Sequence, residues 1–495
     1  MVAYPDLPEV VPGEHVLVDV DKLSGQKSPL EKMPSLNASK KVPPDDKSPT
    51  TPGGFSLAST ASIATITTVA TVDETPQEKQ ERWYHTILQV SVPFFLAGAG
   101  TIGSGLLLGT VEKWAVFVEI SSLMILVPSL TGLKGNLDMC LASRLSTQAN
   151  LGLMDSRRET FLMVTGNIAL VQVQAIVAAI VVAIFAVSVN AIMEGAFQYT
   201  HALLLASSSL ATATTSCFVL DFVLSAVILI SHKRKMNPDN LATPLAASIG
   251  DIVSLTLLAN FASIFYEVHD VSPWVSATVV GFYLVLLPVW IYVVYRNKYT
   301  KPVLYSGWVP VLGALLISGF GGIVMNSVYQ MFNGFVVFQP IINGIGGNLV
   351  SVQASRISTM LHKTSLKGII PPHTKLWVWP WSALFKGLPH AATARLLILL
   401  AVIGQSIFVF IADFFHAGET TIDYRFALTY IFVSLLQVML LLYLAHLFVH
   451  IMWRWKSDPD NSAIPFLTAI GDLTGSSFLA LAFAFLQAVH VTYNG

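Results

Sequence analysis

Two stretches of this 495-residue chain occur twice, and one of them carries an acid, in both copies, where hydrocarbon is expected. GLKGNLDMCLASRLST at 132–147 recurs as GIGGNLVSVQASRIST at 344–359, with nine of sixteen positions identical. PDNLATPLAASIGDI at 238–252 recurs as PDNSAIPFLTAIGDL at 459–473, with eight of fifteen identical. Each copy of the second motif holds an aspartate, Asp251 or Asp472, inside an otherwise uncharged apolar run long enough to cross a bilayer. A carboxylate at that depth costs about 2.5–3.5 kcal/mol on insertion scales. Placing it twice within the same Gly-Asp pair implies a cation or proton that offsets the cost.

The rest of the chain supplies the bilayer. With 54% hydrophobic and 12% charged residues and a mean hydropathy of +0.64, it is too apolar for a soluble protein of this size. Eleven apolar runs have helical spanning length, at about 87–110, 113–133, 161–190, 200–231, 242–266, 273–295, 303–326, 328–346, 396–416, 424–451 and 463–490. The expected fold is all-α and integral to the membrane, and nothing points to nucleic acid. Lys and Arg cluster after the second, fourth, sixth, eighth and tenth runs, while the intervening loops are acidic or neutral. The positive-inside rule then makes the N-terminus cytoplasmic and places the C-terminus outside. Residues 1–85 are rich in Pro, Ser, Thr and Lys and are expected to form a disordered cytoplasmic tail with unknown partners. They lack the character of a mitochondrial presequence, so the expected location is the plasma membrane. Cys140 and Cys217 are expected to be free thiols.

An odd number of spans per copy would invert the second copy unless an extra helix turned the chain back. The run at 272–300 does this, so the expected organisation is a first five-helix repeat at 86–271, a linker helix at 272–300 and a second five-helix repeat at 301–495. Both repeats then share one orientation about a pseudo-two-fold axis along the membrane normal, a parallel-repeat arrangement. Such an axis can bring Asp251 and Asp472 into opposition.

Around the aspartates, Ala247 and Thr468 lie one helical turn earlier on the same face. Pro128 and Pro340, followed by clustered glycines and then Asn136 and Asn348, suggest an irregular segment whose freed carbonyls line an aqueous path. Arg144 and Arg356 are expected to reach the headgroups. Asp221 faces no acid in the second copy, where Leu442 aligns, and is taken as a packing residue or at most a support standing behind the site; His446 and His450 likewise lack counterparts. Pro238-Asp239-Asn240 and Pro459-Asp460-Asn461 are expected to cap helices. Two carboxylates with backbone oxygens and no Cys/His cluster describe a hard-ion site. Mg²⁺ suits it, because that ion keeps several waters while one or two carboxylates hold it.

Through PSLTGLKGNLDMCLASRLSTQANLG, the PDN…TPLAASIGD segment and their second copies, the sequence over about 85–495 resembles solute carrier family 41, the eukaryotic magnesium transporters. More distantly it is similar to the membrane domain of bacterial MgtE channels, which are five-helix dimers. The resemblance implies Mg²⁺ transport, with Asp251 and Asp472 as the hydrated-ion site. It also implies helper roles for the carbonyls of Ala247 and Thr468, and matches Asn136 and Asn348 to the family's Gly-Asn motif. Mg²⁺ is then cargo rather than cofactor, and Na⁺ is a candidate counter-ion. Only the tail stands before the membrane part, so gating by bacterial sensor domains is not carried over. Two other readings compete. Paired membrane aspartates also serve intramembrane proteases, although SIGD and AIGD lack the first glycine of GxGD. A proton-coupled organic-ion carrier would use the carboxylates as a relay.

Overall fold

Hydrocarbon offers backbone groups no water, so apolar runs of this length close their hydrogen bonds internally as helices. A computed structural model describes residues 83–150, 154, 156–195, 197–234, 239–372, 374–388, 390–491 and 493. Among them every regular element is a helix. The first half holds α1 (Trp83–Val111), α2 (Ala115–Glu119), α3 (Leu123–Asn150), α4 (Arg157–Glu194), α5 (Tyr199–Lys233) and α6 (Asp239–Val268). A long helix, α7 (Trp274–Arg296), follows, then α8 (Lys301–Ser306), α9 (Trp308–Val328), α10 (Phe335–Thr364), α11 (Pro380–Leu384), α12 (Ala391–Ala417), α13 (Tyr424–Arg454) and α14 (Pro459–Ala488). The expected tail at 1–85 lies outside the described residues up to 82.

Ten of these helices are long and apolar enough to span a membrane. The second expected span, 113–133, is corrected in two respects. The run at 113–133 is broken at 120–122 into α2 and α3, and α3 falls short in hydropathy because it carries Lys134, Asp138 and Arg144. The expected irregular segment is also corrected: α3 and α10 run as unbroken helices through Pro128, Pro340 and the glycines. Each proline still removes one N–H from its helix ladder. The helix cap before α14 is Asp458, whose carboxylate accepts from the Asp460 N–H at 3.3 Å, so the capping residue sits one position ahead of the Pro-Asp-Asn motif. Gly195 and Gly418 end α4 and α12 in the left-handed conformation open to glycine.

Packing partners recur between the halves. In the first, α3 packs on α4, α5 and α6; in the second, α10 packs on α12, α13 and α14. The first helix of each half reaches across: α1 packs on α6 and on α10, while α9 packs on α14 and on α3. The contacts are close enough that a methyl at Gly105 would meet the Val337 carbonyl, and one at Gly322 the Ile125 carbonyl, at 2.1 and 2.4 Å. Helix α7 lies against α4 and α5 with little of its surface buried. This interlocked centre, where α3, α6, α10 and α14 meet α1 and α9, positions the duplicated motifs.

Candidate functional site

Helices α3, α6, α10 and α14 enclose one cavity of about 90 Å³, large enough for several water molecules. Asp251 and Asp472 both line it. Asn136 and Asn348, the asparagines of the first motif, lie on its wall with Pro128, Pro340 and Thr468. Ala247 lies in α6 one turn before Asp251, in a stretch whose side chains are outside those described. Residues from both halves therefore line the same cavity. Both aspartates are half-buried, as a carboxylate facing a wet cavity should be.

A polar scaffold holds the second-half carboxylate. Ser318 of α9 donates to Asp472 Oδ2 at 2.8 Å. Asn343 donates from Nδ2 to the Asp472 carbonyl at 3.1 Å, and Gln437 to the Gly471 carbonyl at 3.0 Å. Thr468 donates from Oγ1 to Asn136 Oδ1 at 2.8 Å, a bond between the halves. Of the two α3 glycines, Gly132 serves proximity, while Gly135 faces open space. A methyl at Gly132 would stand 2.9 Å from Asp472 Oδ2, so only glycine lets the carboxylate lie against α3.

The first half differs. Lys134 Nζ pairs with Asp138 Oδ2 at 2.7 Å, with both side chains almost wholly buried. The ammonium presses on α6, where a methyl at Gly250 would be 1.8 Å from it, and its charge acts on Asp251. The second copy has Gly346 and Val350 at these two positions. Asp221 is also fully buried, in the field of Asp138, Lys134 and Arg144, so it belongs to a charge cluster and is more than a packing residue. Arg144 turns inward, donating from Nε to Asn167 Oδ1 at 2.8 Å, which corrects the expected reach to the headgroups. Cys140 and Cys217 are free and buried. His446 and His450 are packed inside, His446 Nδ1 lying 3.1 Å from His390 Nε2.

Sequence reasoning missed Ser318, Asn343 and the Lys134–Asp138 pair. The pair had a signal, since it is where the two copies of the first motif disagree most in charge. Ser318 had none, because α9 carries no duplicated motif.

The chemistry on the wall is that of a hard cation: two carboxylates, side-chain amides, a hydroxyl and room for water. A family model for divalent cation transporters, MgtE, matches residues 127–261 and 339–482. Both segments hold a copy of the cavity-lining motifs. The spanning helices and the family match thus define a membrane-embedded divalent cation transporter, not an enzyme. Solute carrier family 41 member 2 of Homo sapiens is 43% identical over 404 residues, 81% of this chain and 70% of the relative, and the Mus musculus protein gives the same figures. Solute carrier family 41 member 3 of Rattus norvegicus is 39% identical over 401 residues, 80% of this chain and 87% of the relative. The chain belongs to solute carrier family 41. No solved structure matches it.

Proposed function

We propose that this protein carries Mg²⁺ across the plasma membrane through a path between two parallel five-helix repeats, with Asp251 and Asp472 holding the partly hydrated ion. The observation that carries this reading is the meeting of both duplicated aspartates on one cavity wall built by both halves. Mg²⁺ fits because it sheds water reluctantly and is held by one or two carboxylates with its remaining waters in place. Asn136, Asn348 and the carbonyls of Ala247 and Thr468 would receive those waters.

The repeats occupy 86–271 and 301–495, joined by the linker at 272–300 and preceded by the cytoplasmic tail at 1–85. The matched packing of α3 with α4–α6 and of α10 with α12–α14 supports this division. With α3 counted among the spans, the alternating basic loops place the N-terminus in the cytoplasm and the C-terminus outside. Na⁺ moving the other way is the proposed driving ion for efflux.

The test is Mg²⁺ flux in liposomes holding the purified protein, read with an internal dye, with and without a Na⁺ gradient. Wild type should move Mg²⁺, and Asp472→Asn should abolish the flux at equal reconstitution. Asp251→Asn should reduce it strongly. Wild-type rates from both variants would sink the central site, and flux indifferent to Na⁺ would sink the coupling while leaving the path.

A further inference from the structure

Among the described residues, two clusters of three groups away from the cavity have ligand atoms within 4.8 Å of one another. One of them, His362, Asp458 and Asp460, already has its cation, because Lys367 Nζ lies 2.9 Å from Asp458 Oδ2. The other joins Glu119 at the end of α2, His201 in the first turn of α5 and His269 just past α6.

The second cluster is prepared for a ligand by its own hydrogen bonds. His269 Nδ1 lies 2.5 Å from the Tyr266 carbonyl. A carbonyl only accepts, so Nδ1 carries the hydrogen and Nε2 is the nitrogen left to bind. A histidine tethered through one nitrogen to a backbone carbonyl is the usual outer-shell support of a metal-bound imidazole. His269 Nε2 in turn lies 3.3 Å from Asp270 Oδ1, which puts a further oxygen donor beside the same nitrogen. The Tyr266 phenol donates to Glu119 Oε2, which leaves the other carboxylate oxygen open, and the Tyr266 ring stacks on His269 at 4.9 Å. His269 is buried, His201 half-buried and Glu119 exposed, so an ion can arrive from solvent.

We propose that Glu119, His201 and His269, with Asp270 beside them, bind a zinc-class divalent ion at a site separate from the transport path. Two imidazoles and a carboxylate are a borderline-soft donor set that selects zinc or its neighbours over Mg²⁺, which prefers oxygen alone. Bonds of about 2.0–2.1 Å to a tetrahedral ion set ligand atoms about 3.4 Å apart, and rotation of the exposed Glu119 and half-buried His201 can supply that closure. The site exists in one half only, since the repeat offsets put Met331, Ile422 and His490 at the corresponding places. Occupied, it would tie together the ends of α2, α5 and α6, the last being the helix that carries Asp251.

Cobalt titration of the tag-free, full-length protein in detergent, with Mg²⁺ saturating, tests this. Wild type should take up about one equivalent of Co²⁺ with the intense visible bands of four-coordination, and Zn²⁺ should displace it. His201→Ala, His269→Ala and Glu119→Gln should each bind at least about tenfold more weakly, while retaining Mg²⁺ flux as proof of folding; His446→Ala should bind like wild type. Absence of the bands in wild type would overturn the proposal. So would unchanged cobalt affinity in any two of the three site variants that retain flux.

Discussion

Gly132 decides where a carboxylate from the other half comes to rest. A methyl there would stand 2.9 Å from both Asp472 Oδ2 and Ser318 Oγ, so Gly132→Ala should push both away and cut Mg²⁺ flux strongly. Its cost to stability should stay within about 1–3 kcal/mol, the ordinary penalty of overpacking, and flux and thermal melting measured on the same preparation separate the two effects. Lys134 and Asp138 make a contrasting case. Lys134→Met leaves the Asp138 carboxylate buried without its partner, a loss of about 3–5 kcal/mol. Adding Asp138→Val, the residue at the matching place in the second copy, should recover much of that loss, as melting of the single and double variants will show. Asp251 and Asp472 were legible in the sequence because duplication marked them. Ser318 and Asn343 were not, because their roles depend on which helices face Asp472, and nothing in their own segments records that.

At the scale of elements, the sequence indicated which runs are helical better than it indicated where the helices break or end. Proline and clustered glycine in α3 and α10 read as a break, yet both helices continue. Neighbours occupy the space left at Gly132, Gly344 and Gly346, and the break comes earlier, at 120–122. Low hydropathy in α3 is tolerated because Lys134 and Asp138 pair inside the bundle and Arg144 bonds Asn167. The start of α12 shows another buried polar contact. His390 is pushed down to about 3 by burial, with the charges of His446 and His450 adding to the effect. The unfolded chain would protonate it near pH 6.5, so below that pH the unfolded state binds a proton that the folded state refuses. Stability should therefore fall as pH drops from 6.5 toward 3. The melting temperature in detergent should be lower at pH 5 than at pH 7.5, and His390→Gln should shrink the difference.

For the whole molecule, the exchange of first helices is the feature with the widest consequences. Because α1 packs on α10 and α9 on α3, neither half encloses the cavity alone. Residues 1–271 and 272–495 produced separately should give no Mg²⁺ flux in liposomes, and co-expression should restore it; activity from either half by itself would contradict the shared chamber. The duplicated motifs underlie the proposal of two matched halves, but the reach of α1 and α9 across the molecule was invisible because those helices carry no copied motif. The buried ammonium of Lys134 acquires its meaning in this setting. A dimer assembled from two identical chains can place a given lysine twice or not at all, and never once. Joining the two copies in one chain removes that restriction, so the cavity is free to have a left side unlike its right, with one aspartate neighbouring a resident ammonium and the other a serine hydroxyl.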